Sequence, residues 1–403
     1  LSLSAVAAMR DSDTERGAQK VLSFTDNRQD ASLQAGHFND FVQVALLRSA
    51  LCQALEQHGE LHFESLASRV TQVLGHDLDE FAWQRGLDPQ SPQAKAAAKT
   101  FQDVVEYRLY EDLRRGWRIM QPNLEQCGLL RVDYRGLDEL AQRDDIWQEV
   151  RLIGNISAKE RANFLRVMLD EMRRQLAIEV ECLDPRYQEE LKRRAAQYLN
   201  EQWAFDEREP LRAASCYVLP TAQRLEGDFS LSSRSIIGKW LISEMSEALG
   251  RRATEEEYHD LVGHLLEGLQ RYGLLVEANQ VRGRNREAGF RIPASALIWR
   301  PGDGKPLTSP LRRRRARGPN YVEAGPNVNQ YFRQLYRHAF QRLRGMVGAE
   351  HTAQIDYEQR IEREERFRAG DLSCLFCSPT MELGIDIGDL SAVHLRNLPP
   401  TPA

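Results

Sequence analysis

The residues best placed to do chemistry lie near the end of this 403-residue chain. There Leu372-Ser373-Cys374-Leu375-Phe376-Cys377 runs into Ser378-Pro379-Thr380-Met381-Glu382-Leu383-Gly384-Ile385-Asp386-Ile387. The apolar run reads as a buried strand, which Ser378, Pro379 and Thr380 break and Gly384-x-Asp386 closes in a tight turn. A hydroxyl, Ser378, and a carboxylate, Asp386, follow the strand. Cys374-x-x-Cys377 has a spacing used for metal or redox chemistry. Positions three apart in a strand point to opposite faces, however, and no second pair completes a zinc site, so buried structural thiols are expected. Near the other end, Lys20-Val21-Leu22-Ser23-Phe24 is a short β-type run that leads into Thr25-Asp26-Asn27-Arg28-Gln29-Asp30-Ala31.

The late segment resembles motif V of superfamily 2 helicases, the ATP-driven motors that move along or open nucleic acids. The early one resembles their motif IV. Between them stand His351-Thr352-Ala353-Gln354, then Arg360, Glu364, Phe367 and Gly370 at steps of four, three and three, similar to the segment these motors carry before motif V. The resemblance implies that Asn27 and Arg28 fall where motif IV contacts phosphate. Ser378 stands where the family usually has a threonine on the nucleic-acid strand, and Gly384 and Asp386 fall on the nucleotide side, with Asp386 at the ATP ribose. His351 receives a functional or a strand-end structural role from its place in the intervening segment. Pro-Thr-Met-Glu-Leu-Gly-Ile-Asp-Ile, together with the long intervening segment, resembles the large bacterial helicases used in genome defence or repair.

Other parts of the motor are missing from these residues. No G-x-x-x-x-G-K-[ST] loop occurs, so nothing can cradle β- and γ-phosphates with backbone N–H groups. Gly238-Lys239 lacks the upstream glycine and the following Ser or Thr, and no Asp-Glu-x-His box is present. The chain stops at Leu398-Pro399-Pro400-Thr401-Pro402-Ala403, where the family continues into an arginine-rich motif VI. An arginine finger of that kind is worth about 10³–10⁵ in rate in related enzymes. A fragment is therefore expected, one that does not hydrolyse ATP alone and has no catalytic or metal-binding residue of its own. ATP and Mg would be held mainly by a first lobe elsewhere in the same polypeptide.

The net charge of −5 gives no global sign of a polyanion partner, but its distribution does. Arg282, Arg284, Arg286, Arg291, Arg300, Lys305, Arg312, Arg313, Arg314, Arg315 and Arg317 face only Glu287 and Asp303 within that stretch. Such a cluster is an electrostatic footprint for phosphate, or else a solvated linker. Of these, Arg282, Arg284, Arg286 and Arg312 to Arg315 are the candidate DNA contacts.

Composition is ordinary for a globular protein, with 28% charged and 42% hydrophobic residues. No apolar run approaches the ~18 residues of a membrane span, so a cytoplasmic protein of two or three domains is expected. The six cysteines and nine histidines are scattered.

The elements that must position these groups follow from periodicity and caps. A helix is predicted from about Arg28 to Leu55, stopped by Gly59. Ser91-Pro92, Ser157-x-x-Glu160 and Asp184-Pro185 each open a helix. Ser232 or Ser233 is expected to cap a helix burying Ile236, Ile237, Trp240, Leu241, Met245 and Leu249, and Thr254-x-x-Glu257 opens another. Leu274-Leu275-Val276 and Phe290-Arg291-Ile292 then read as strands around an Arg/Gly/Asn loop. Helix, helix and basic hairpin are similar to a winged-helix module. The predicted architecture is α/β, with a parallel-sheet RecA-like lobe split by a mostly helical insertion that contains this module. The lobe's first part is 18–57 and its second part 328–403. Between them lie a helical insertion (58–229), the winged-helix-like module (230–303) and a basic linker (304–327). Two other classes stay open: a non-catalytic nucleic-acid-binding module and a protein-interaction scaffold.

Overall fold

Short apolar runs from the two ends of the chain become neighbouring strands. The computed structural model describes residues 2–11, 18–25, 27–114, 121–220, 226–278, 289–307, 309–313 and 328–378, with 151, 312, 313 and 341 described by backbone alone. The strands are β1 (Val21–Phe24), β2 (Leu61–His62), β3 (Leu130–Tyr134), β4 (Ile178–Glu179), β5 (Tyr217–Val218), β6 (Phe229–Ser230), β7 (Val276–Ala278), β8 (Gly289–Pro293), β9 (Leu297–Pro301), β10 (Gly348–His351) and β11 (Cys374–Cys377). The chain divides into two units, Leu1–Leu46 with His338–Ala403, and Leu47–Arg337. The divisions fall inside the helices Arg28–His58 and Gln330–Leu343. A break in hydrophobic patterning marks the end of a helix, whereas packing can change hands in the middle of one.

In the first unit β1, β11 and β10 form a parallel sheet in that order. Phe24 and His351 both register on Cys377. All four residues of β11 are buried, as a central strand covered on both faces requires. Leu375 and Cys377 pack with Phe367 and Leu372, while Phe376 turns the other way, its ring edge-on to Phe38 at 6.0 Å. Gly348 makes room for that pair, because a Cβ there would meet Phe38 Cδ1 at 2.9 Å and Phe376 Cε2 at 3.2 Å. Asn39 closes the contact: its Nδ2 donates to the Gly348 carbonyl and its Oδ1 accepts the Gly348 N–H. The helix Tyr357–Ala369 connects β10 to β11 and ends at Gly370 in the left-handed region. Lys20 reaches the same helix end, where it donates to the carbonyls of Phe367 and Arg368.

The second unit holds the expected helices. Ser91, Ser157, Asp184 and Thr254 all act as N-caps, with complete capping boxes at Ser157 and Thr254. One cap differs from the reading. Ser235, not Ser232 or Ser233, accepts the N–H of Gly238 at the start of Ile236–Leu249, while the Ser233 hydroxyl bonds Glu255. Serines two or three residues apart are equivalent in propensity, so only the backbone path selects among them. The unit is also less purely helical than expected. It carries an antiparallel sheet β2-β9-β3 and a second sheet in which β8 pairs with β4, β5 and β7. β7 and β8 do form an antiparallel hairpin after the two helices, with Glu277 opposite Phe290, yet β8 lies inside the larger sheet.

All six cysteines are free and buried. Burial pushes the Cys374 and Cys377 thiols up to about 12. In the unfolded chain they titrate near ordinary thiol values of about 8.5. Their contribution is therefore fully present below the unfolded pKa and lost as pH rises toward 12. Folding stability of the first unit should fall with rising pH above about 8.5, less steeply in a Cys374→Ser, Cys377→Ser variant, as read by urea denaturation at stepped pH. Equal slopes in the two proteins would refute this.

Candidate nucleic-acid interface at the carboxyl edge of the parallel sheet

Parallel alignment brings the ends of β1, β11 and β10 to one edge, the edge at which open α/β sheets bind ligands. The residues just past it are Thr25, Asn27 and Arg28 after β1, Ser378 after β11, and Thr352 after β10. The edge is tied by backbone and hydroxyl bonds. The Thr25 N–H donates to the Cys377 carbonyl at 2.9 Å, and its hydroxyl lies 2.8 Å from the Asn27 carbonyl. The Ser378 N–H donates to the His351 carbonyl at 3.4 Å, and the Ser378 side chain is fully buried.

Asn27 has a structural task. Its Oδ1 accepts the Asp30 N–H and its Nδ2 donates to the Asp30 carboxylate, both at 2.8 Å, which caps the helix Arg28–His58. Arg28, the first residue of that helix, is exposed. A guanidinium beside a helix N-terminus favours an anion, because the helix's first N–H groups and its dipole add to the charge. His351 is fully buried at the end of β10, with Nε2 2.9 Å from Glu364 of the next helix. This gives the spacing of His351 and Glu364 a physical meaning: the pair holds helix Tyr357–Ala369 against the strand end. Arg363 adds a bond to the Glu350 carbonyl.

Thr25 and Lys20 received no role from sequence reasoning, and nothing in the residue types marked them. Their partners, the Cys377, Phe367 and Arg368 carbonyls, lie roughly 350 positions away. Gly384, Asp386, Arg282, Arg284, Arg286, Arg314 and Arg315 lie outside the described residues. Arg312 and Arg313 end the short helix Pro310–Arg313, described by backbone alone. Two described members of the basic run also bond groups within the fold. Arg291 bonds Glu179 and the carbonyls of Ser215 and Ala214, and Arg300 bonds Glu60 and Asp133. Among the described residues no group of three or more His, Cys, Asp or Glu could hold a metal ion. No described helix is long and apolar enough to cross a membrane.

A parallel sheet flanked by helices in a mixed α/β unit fits a RecA-like fold. Residues 327–403 match the helicase conserved C-terminal domain, a span that takes in β10, the helix Tyr357–Ala369 and β11. This region is therefore similar to a helicase domain and suggests a nucleic-acid-related function. No curated protein and no solved structure matches the chain.

Proposed function

We propose that this chain supplies the second motor lobe of a superfamily 2 DEAD/DEAH-type DNA helicase or translocase, interrupted between motifs IV and V by a large insertion. The observation that carries the reading is the β1–β11 pairing. Two segments that resemble separate helicase motifs, about 350 residues apart, end side by side at one edge of a parallel sheet, and the second lies within the matched helicase domain. On this reading Arg28 meets the nucleic-acid backbone and Asn27 holds the helix that presents it. Ser378, expected at the strand from its sequence position, has a buried side chain and ties the end of β11 to β10 through its N–H. Gly384 and Asp386 lie on the nucleotide side. The hairpin after Glu255–Arg271 acts as a winged-helix-like DNA contact through Arg282, Arg284 and Arg286, helped by Arg312 to Arg315.

ATP would be gripped chiefly by a phosphate loop these residues do not contain, and the described residues offer no site for Mg. When bound, the nucleotide supplies the free energy of phosphoryl transfer, and this chain contributes one wall of its cleft. Hydrolysis by the 403-residue chain alone should not exceed background.

The test is DNA binding across salt. Four to six phosphate contacts predict a log–log slope of about −4 to −5, falling when Arg282, Arg284, Arg286 and Arg312 to Arg315 become Ala. A salt-independent affinity, or no binding at all, would sink the nucleic-acid reading.

A further inference from the structure

The antiparallel sheet of the second unit carries a charged arrangement that the motor motifs do not touch. Its strands alternate. Leu130, Val132, Tyr134, Leu297 and Trp299 are buried on one face, and Arg131, Asp133, Ile298 and Arg300 stand on the other. Register puts Arg131 directly opposite Arg300, and like charges across a strand pair are destabilising. The buried Asp133 carboxylate gathers both. Its Oδ1 accepts from Arg131 Nε at 2.8 Å and from Arg166 NH1, and its Oδ2 accepts from Arg300 NH1 at 3.3 Å. Arg300 also bonds Glu60 through Nε and NH2, and Arg135 lies 3.3 Å from His62 Nδ1, whose Nε2 faces Glu60.

One carboxylate needs one guanidinium. Here Arg131, Arg135, Arg166 and Arg300 converge on Asp133, Glu60 and the imidazole of His62, which leaves two positive charges in surplus on a chain that is acidic overall. Arg131 and Arg300 are about half exposed while Asp133 is nearly covered, so the anion acts from beneath and the cations face water. Among the described residues Arg131 commits only Nε, and Arg166 only NH1, to these carboxylates. Each therefore keeps further N–H donors in the planar fork that suits phosphate oxygens. Such prior fixing lowers the entropy lost when an anion binds. The ends of β3 and β9 that carry this pair are brought together by paired glycines. A Cβ on Gly302 would fall 2.3 Å from the Gly128 carbonyl oxygen, so only glycine admits the approach.

We infer that the outer face of the β2-β9-β3 sheet is a second binding surface for the phosphates of a nucleic-acid backbone, read through Arg131, Arg166 and Arg300 on Asp133. The inference rests on the nucleic-acid reading above and adds a surface that joins Arg300 of the basic run to Arg131 and Arg166, which lie far from that run in sequence. It is tested by fluorescence anisotropy with a labelled oligonucleotide, single-stranded and duplex, from about 50 to 200 mM salt. The proteins are the full chain, Arg131→Ala with Arg300→Ala, and Arg131→Gln with Arg300→Gln, each checked by thermal melting. The glutamines keep hydrogen bonding to Asp133 and protect the test should the alanine pair fail to fold. Loss of about one unit of salt slope per arginine, about two for the pair, is expected, with affinity on the order of tenfold weaker. Unchanged slope and affinity in a folded pair, while the Arg282/Arg284/Arg286 variant does lose slope, overturns this surface and leaves the helicase reading standing. No binding by the unaltered chain overturns both. Heparin affinity that falls in the pair while oligonucleotide affinity holds also overturns it.

Discussion

Phe376→Ala is expected to destabilise the first unit by about 3–5 kcal/mol, the usual cost of emptying a buried aromatic position. Phe376 is 3% exposed at the centre of the central strand, and its ring closes on Phe38 and on the gap left by Gly348. The transfer loss, the edge-on ring pair and the cavity all add to the cost. Because β11 is the only described strand that joins β1 to β10, the damage should spread to both neighbours. Hydrogen exchange measures it directly. Amides of Val21–Phe24 and Gly348–His351 should lose protection together with those of Cys374–Cys377, while those of Leu130–Tyr134 keep theirs. Protection unchanged in β1 would mean that the two chain ends do not depend on one another and do not build one site.

Arg173→Ala should cost the second unit a similar amount, about 3–5 kcal/mol, for an electrostatic reason. The Arg173 side chain is fully buried and holds both Glu125 oxygens at 2.8 and 2.7 Å, the Tyr134 hydroxyl at 3.1 Å and Asp170 at 3.2 Å. Burial opposes its charge, but Glu125, Tyr134 and Asp170 outweigh that penalty and keep the guanidinium firmly protonated. Removing it leaves two buried carboxylates facing each other without a cation. Arg173→Met with Glu125→Leu, which removes the cation and one of its two carboxylates and leaves Asp170 the Tyr134 hydroxyl, should recover part of the loss, because the penalty comes from the orphaned partners. Chemical denaturation of the single and double variants decides this. A single variant within about 1 kcal/mol of the unaltered chain would show that water reaches the cluster. The network also anchors Tyr134 at the end of β3, the strand that presents Arg131 and Asp133.

The helices were largely legible because their signals are local. A capping residue, a first-turn proline or a stop glycine acts within one turn, and Ser91, Ser157, Asp184, Thr254, Gly59 and Gly250 all sit where their chemistry places them. The short strands of the second unit were not. β2, β4, β5 and β6 are two residues each, too short for an alternation to show, and they exist only because a partner strand supplies their hydrogen bonds. Arginine roles were the least legible. The basic run stood out by composition, yet Arg291 and Arg300 within it are engaged by Glu179, Glu60 and Asp133. Arg131 and Arg166, isolated in sequence, meet at one carboxylate.

By itself the sequence determined which residue types follow the strands at each end, where the helices capped by Ser91, Ser157, Asp184 and Thr254 begin, and that no phosphate loop lies between them. Those properties depend on neighbours along the chain. The resemblance to a split lobe already put the two end strands in one parallel sheet. Tertiary structure alone decided the register that sets Phe24 against Cys377, that Asn27 is a cap while Arg28 faces solvent, and that Arg131 sits across from Arg300. The physical reason is that strand pairing and charge convergence are contacts between residues far apart in sequence, and their energies appear only once the intervening chain has folded.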